Sequence, residues 1–299
     1  MSQRFGDAHT VHKLDALEAY LNAYSTALKN QGFRLLYFDA FAGTGDIQVG
    51  DETPMLQTVD DYQPFVKGSA WRALQLGAAF DEYIFVERSL KKFRELGRLK
   101  DEFPAIADRI AIENGDANES LRTFCAETPW HRRDTPHHRA VVFLDPFGNQ
   151  VEWDTLRRIA DTQAIDLWYL FPAGLGVHRQ IRKDGTVHFQ HGDPLDRILG
   201  TSEWRTAFIT QKIDDDLFEG ARSRSAKVAD PVAITEYMIT RMRGIFRGGV
   251  LDEWVPLGSR NVHMYSLIFA WANPSRAARA LAQRLAKGVL RSSNRGRLK

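Results

Sequence analysis

The chain has 299 residues, enough for one large α/β domain or two small ones. Apolar residues make up 43% and charged residues 26%, and the net charge of only +2 excludes a polyanion binder acting by bulk charge. A single cysteine, Cys125, excludes an internal disulfide framework and any multi-cysteine zinc or iron–sulfur site.

In chain order, residues 10–29 read as an amphipathic helix, with Leu14, Leu17, Leu21 and Leu28 near one face and Tyr20 and Tyr24 alongside. Thr10 is placed as its cap. Residues 33–38 form a short apolar run, a buried strand ending at Asp39, and the glycine turn of Gly43 and Gly45 follows at once. Residues 69–79 read as a helix, 83–86 as a strand ending at Glu87, 90–99 as a helix and 109–112 as a strand ending near Asp116. A helix at 118–126, a strand at 140–144 ending at Asp145, a helix at 153–161 and a strand at 165–171 complete the alternation. Strands alternating with helices predict a parallel, doubly wound sheet.

The pattern changes over residues 172–231, which read as an insertion of short helical and loop pieces at 194–199 and 203–209. A helix at 232–243 precedes two β-like runs, 249–255 and 262–271, whose short connector predicts an antiparallel hairpin. The last helix starts near Pro274, a residue suited to a first helical position. The expected organisation is one domain over 1–299, with an N-terminal helical extension at 1–31, the insertion at 172–231, and a basic helix and tail at 273–299. From Pro274 to Lys299 there are eight Lys or Arg and no acid, which reads either as a contact for nucleic acid, DNA or RNA, or as a plain solvated helix face. No apolar run is long enough to span a membrane, and the first residues lack a signal-peptide core, so the cytoplasm is the expected location.

Chemistry concentrates at the strand ends. Asp39, Glu87, Asp116 and Asp145 each close a strand, and open α/β sheets bind ligands outside the carboxyl ends of their strands. Acids at such places also serve as plain helix caps. Gly43-x-Gly45 allows close backbone approach to a ligand, yet Gln48 stands where a dinucleotide fingerprint needs its third glycine. The Lys67-Gly68-Ser69 triplet has Gln63 where a phosphate-binding P-loop needs glycine. His178, His188 and His191, with Asp193, match no metal-ligand spacing, so no metal is expected. Arg179, Arg182 and Lys183 in the same stretch suit phosphate contact, and Cys125 reads as a small buried hydrophobe.

This arrangement resembles the class I S-adenosylmethionine-dependent methyltransferases over residues 33–171, and more loosely over 245–272. The resemblance implies a Rossmann-like, mostly parallel seven-stranded sheet with an antiparallel hairpin near the C-terminus, and S-adenosyl-L-methionine as cofactor. It makes Asp39, Phe41, Ala42, Gly43 and Gly45 the turn that cradles the methionine part. Glu87, beside Arg88, takes the ribose hydroxyls, and Asp116, beside Ala117, the adenine amino group. Asp145-Pro146-Phe147-Gly148 stands where many nucleic-acid amino-methyltransferases carry Asp/Asn-Pro-Pro-aromatic. Asp145 then borders both cofactor and acceptor, with Phe147 as its catalytic companion. Pro146, Phe147, Gly148, Phe171, His178 and Arg179 are the expected acceptor-binding set, with residues 171–174 as the pocket rim. Phe147 replaces the second proline and Gly148 the aromatic residue, which weakens the inference to base methylation.

A narrower resemblance rests on DAFAGTGD, KGSAWRAL, YIFVERS and VVFLDPFG, which look like the three-Cys-motif partner protein family, TcmP. It implies a partner, a radical-S-adenosylmethionine-like protein carrying three cysteines. The expected function is methyl transfer to a nucleic acid or nucleobase-type acceptor. A catalytically inactive methyltransferase-like binding module in a defence or mobile-element system stays open beside it.

Overall fold

The computed structural model describes residues 5–43, 46–47, 66–77, 79–131, 137–187, 189–216, 220–259 and 262–295. The elements of the first half are α1 (Phe5–Leu28), β1 (Arg34–Asp39), β2 (Asp46–Ile47), β3 (Val66–Lys67), α2 (Ser69–Gln75), β4 (Glu82–Val86), α3 (Leu90–Leu96), α4 (Leu99–Glu102), β5 (Ile110–Glu113) and α5 (Ala117–Glu127). There follow β6 (His138–Leu144), α6 (Trp153–Asp161), β7 (Ile165–Phe171), a π-helical turn (Ala173–His178), α7 (Phe189–Leu199) and α8 (Trp204–Phe208). The rest is β8 (Ile209–Asp216), β9 (Gly220–Lys227), α9 (Pro231–Arg243), β10 (Gly249–Val250), β11 (Val255–Ser259), β12 (Val262–Trp271) and α10 (Arg276–Arg295).

The central sheet runs β10-β12-β7-β6-β1-β4-β5, with β11 also on β12. The pairs β4–β5, β1–β4, β1–β6 and β6–β7 are parallel, and β12 is antiparallel to β7. Val250 pairs with Ala270 and Val255 with Leu267, so β10 and β11 lie end to end along β12 as two pieces of one interrupted edge strand. The fold is therefore mixed α/β, mostly parallel and Rossmann-like, with seven strand positions filled by eight strands.

Side chains alternate across a strand, so parity decides which face each residue serves. Leu36 and Phe38, Ile84 and Val86, Val142 and Leu144, and Leu167 and Tyr169 pack on one face, beneath α5, α6 and α9. Leu35 and Tyr37, Tyr83 and Phe85, Val141 and Phe143, and Trp168 and Leu170 pack on the other, beneath α1, α2 and α10. Both faces are covered, which is why these strands read as continuous apolar runs.

The buried face of α1 carries Leu14, Leu17, Tyr20, Leu21 and Tyr24. Each buried leucine contributes about 1.5–3 kcal/mol as an upper estimate. Tyr20 lies edge-on to Trp168 at 5.3 Å and donates through its hydroxyl to Asp166 at 2.6 Å. Thr10 does not cap this helix: α1 extends from Phe5, and no proline in residues 5–13 stops it.

The segment read as helix and loop also contains the β8–β9 hairpin, paired from Ile209–Lys227 to Asp216–Gly220. Its strands, ITQKIDDD and GARSRSAK, are too polar to show apolar alternation, so the sequence carried no strand signal there.

Burial raises Asp166 from its ordinary 3.8 to about 7, against the lowering effect of the Tyr20 hydroxyl and the Arg139 charge. The folded state then keeps a proton that the unfolded chain releases near pH 4, so this contribution is lost as pH rises from about 4 to 7. Asp166→Asn should flatten the pH dependence of the urea midpoint across that window, with Asp39 retaining its own share.

Candidate active site

The parallel register places the site. Asp39 pairs with Phe85 on β4 and with Phe143 on β6. Glu87 and Asp145 thus stand two residues beyond Asp39 on either side, and both share its parity. That parity faces them toward α1 and α2, the same side as Asp166 on β7. Helix α1 exploits this: Lys13 Nζ meets Asp145 Oδ2 at 2.6 Å, with both side chains largely shielded from water. Lys13 was not singled out in the sequence, where it is one lysine on a helix, and only the sheet's parity makes it a neighbour of Asp145.

Asp39 is fully buried, and burial lifts its carboxyl to about 7, with Asp145 nearby adding to the rise. Its Oδ1 accepts from the Phe41 N–H at 3.1 Å, its Oδ2 lies 3.4 Å from the Tyr37 hydroxyl, and Ser69 also hydrogen-bonds it. Asp39 therefore fixes the turn from beneath. Ala42 donates to the Val86 carbonyl at 3.0 Å, tying the turn to the end of β4. Phe41 packs half-buried on the core. Gly43 takes φ +65, and the space its missing side chain would fill is open. Gly45 lies outside the described residues.

Glu87 is half-buried, and its Oε1 accepts from the Ser89 N–H at 2.6 Å. Asn114 donates to the carbonyls of Glu87 and Arg88 at 2.8 and 3.0 Å, bracing this loop, while the Arg88 side chain is exposed. Asp116 caps α5 by accepting from Asn118 and Glu119 through Oδ1, and Ala117 is buried behind it. The second oxygens of Glu87 and Asp116 have no hydrogen-bond partner among the described residues.

The loop after Asp145 is braced by hydrogen bonds. Pro146 is buried, the Phe147 ring is 61% exposed, and the Gly148 N–H donates to the Pro146 carbonyl at 3.0 Å. The Phe147 N–H donates to Gln150 Oε1 at 2.8 Å. Asn118 staples this loop to α5: it donates to the Gln150 carbonyl at 2.9 Å and accepts from the Glu152 N–H at 3.0 Å and the Thr155 hydroxyl at 2.8 Å. Sequence reading missed Asn118 because an asparagine in a first helical turn looks like capping chemistry.

Other expected residues lie elsewhere. Phe171 does not line the edge, because it is fully buried against Tyr169 at 5.7 Å in the core. Residues 172–174 are buried as well, and any side chain on Gly174 would strike the His263 carbonyl, so this stretch packs under β12 and forms no rim. His178 is half-buried at the end of the π-helical turn, its imidazole held below the usual range by burial and then by Lys227. Arg179, Arg182 and Lys183 are exposed. His188 lies outside the described residues, and no cluster of metal-ligating side chains occurs among the described ones. Burial pushes the Cys125 thiol up to about 12, which removes it as a nucleophile near neutral pH.

No family model matches the chain, and no curated protein matches it. Among solved structures, it is similar to a Legionella pneumophila protein carrying the family description DUF519, at 14% identity and TM-score 0.48, covering 95% of this chain and 92% of that one. A putative methyltransferase from Escherichia coli matches at 13% identity and TM-score 0.31, covering 71% and 86%. An S-adenosylmethionine-dependent methyltransferase from Clostridium acetobutylicum matches at 8% identity and TM-score 0.34, covering 85% and 91%.

Two measurements check this geometry. A double-mutant cycle of Lys13→Met and Asp145→Asn should give a coupling of about 1–3 kcal/mol at pH 8. Asn118→Ala leaves buried partners unpaired and should lower unfolding stability by at least about 2 kcal/mol in urea titrations.

Proposed function

We propose that the chain binds S-adenosyl-L-methionine at the carboxyl edge of its sheet and transfers the methyl group to an uncharged nucleophile held at Asp145. The observation that carries this reading is the row of Glu87, the Asp39-anchored turn and Asp145, with unpartnered oxygens on Glu87 and Asp116 beside it. Carboxylates suit ribose hydroxyls and an adenine amine, whereas a pyrophosphate would be repelled, and the open space at Gly43 fits a ligand crossing the turn.

The bound cofactor supplies an electrophilic methyl group on a sulfonium. This chain's own residues supply placement, an effect of proximity and orientation. Asp39 holds the Phe41 N–H and so sets the turn. Lys13 holds Asp145 Oδ2, which leaves Oδ1 to accept an N–H or O–H from the acceptor. The exposed Phe147 ring offers a stacking face. With Lys13 and a sulfonium both cationic, an ammonium is repelled, and it has no lone pair to attack with. An uncharged donor such as a nucleobase amino group fits this environment. The motif resemblance to the three-Cys-motif partner family supports a further radical-S-adenosylmethionine-like protein as partner. The Phe147-Gly148 departure and the ion pair on Asp145 favour the second reading, a module that binds the cofactor without transferring its methyl group.

Calorimetry with S-adenosylhomocysteine tests the cofactor claim. Wild type should bind, Glu87→Ala should bind at least about tenfold more weakly, the loss of roughly one hydrogen bond to a charged group, and Asp145→Asn should stay close to wild type. A folded chain that binds neither S-adenosylmethionine nor S-adenosylhomocysteine would sink the reading. Binding without transfer of labelled methyl to DNA, RNA or a co-expressed partner would select the inactive module.

A further inference from the structure

Helix α10 shows how the cations of the expected basic C-terminal helix are arranged. Over 3.6 residues per turn, Arg276, Arg284, Lys287 and Arg291 fall within an arc of about 80°, with Arg279 about 60° outside it in the first turn. Ala282, Ala286, Val289 and Leu290, on the other side, are buried in the cluster that includes α1. Arg276, Arg279, Arg284 and Arg291 are exposed. No acid lies on α10, and among the described residues Glu253 pairs with Lys287 at 3.1 Å and the nearby Asp252 in sequence pairs with Arg243. Arg276, Arg279 and Arg284 have no ion-pair partner among the described residues.

The direction of the stripe follows from the topology. Trp271, the last residue of β12, pairs with Asp166 at the start of β7, so α10 begins at the edge opposite Asp145. The Lys287–Glu253 pair fixes the climb, because Glu253 lies between Leu251, which donates to the Phe269 carbonyl, and Val255, which pairs with Leu267. Helix α10 thus ascends the face it shares with α1, toward the edge where Lys13 meets Asp145. From Arg276 to Arg291 it covers about 22 Å at 1.5 Å per residue.

We infer that the α10 stripe is a docking surface for a nucleic-acid strand, which it leads toward the Asp145 edge. Four of its five cations are arginines, whose planar forks match phosphate oxygens in pairs. A bilayer does not fit, since membrane-surface helices insert an apolar face, and the apolar face of α10 is already spent on α1. The docking surface stands on this geometry alone. Naming nucleic acid as the acceptor class rests in addition on the methyltransferase reading above.

The test is fluorescence anisotropy with labelled 20-nucleotide single-stranded RNA, single-stranded DNA and a DNA duplex of the same length, each about three times the reach of the stripe or more. Wild type should bind at least one of them, with affinity falling as salt rises from about 50 to about 200 mM. The triple variant Arg276→Glu, Arg279→Glu, Arg284→Glu should lose at least about tenfold in affinity, while Lys100→Glu on α4 binds as wild type. The corresponding triple Arg→Gln variant serves if charge reversal disturbs the fold, as judged by its unfolding midpoint. The inference is overturned if none of the three probes binds at low salt, or if the folded triple variant binds as wild type. Binding only to phosphatidylserine vesicles would overturn it as well. Calorimetry with S-adenosylhomocysteine on the same triple variant should show unchanged affinity. Loss of nucleic-acid binding with retained S-adenosylhomocysteine binding therefore tests α10 apart from the cofactor site.

Discussion

The parallel pairing of β1 with both β4 and β6 is the constraint on which the rest depends. A parallel ladder carries all its carboxyl ends to one edge, and this ladder also matches their parity. Since Asp39 pairs with Phe85 and Phe143, Glu87 and Asp145 fall symmetrically about it. The glycine turn has to leave the sheet between them. Chemistry needs convergent groups, and here convergence comes from strand register before any loop is considered.

The shared face has an electrostatic consequence. Asp39 and Asp166 are each driven to about 7 by burial, and Asp145 stands near the first of them. Ionised together, Asp39 and Asp145 would oppose one another in a poorly solvated layer, while burial alone raises Asp166. Helix α1 answers at two points, with the Lys13 ammonium on Asp145 and the Tyr20 hydroxyl on Asp166. The N-terminal helix is thus part of the charge balance of the site as well as a cover for the sheet. Its apolar stripe holds it in place, and its polar contacts determine what that placement does.

Much of this fold is written in local pattern. Buried strands on both faces give unbroken apolar runs, so β1, β4, β6 and β7 are legible to within a residue or two, and α6 matches its expected span. The acids at the strand ends are legible for the same reason, each following such a run. Long-range contacts are not. Lys13 is 132 positions from Asp145, and nothing local says they meet. Phe171 looked like a rim residue because it ends a strand, yet the chain bends at once into a π-helical turn beneath β12 and buries it. The β8–β9 hairpin escaped because its polar strand sequences have no hydrophobic period. Asn118 escaped because its value lies in three bonds to a loop and the start of α6, over thirty residues away.

The single parity shared by Asp39, Glu87, Asp145 and Asp166 makes chain length within the strands a chemical variable. Deleting or inserting one residue inside β6 would preserve a pairable apolar run, because both faces of the sheet accept apolar side chains. It would nevertheless turn Asp145 from Lys13 on α1 toward α5 and α6. Two residues would restore the facing but displace the carboxylate along the strand by about 7 Å. A protein whose packing tolerates slippage is therefore held in register by its acids. Among relatives of this chain, length changes should collect in the connections and spare the strands, even where hydrophobic packing alone would permit them.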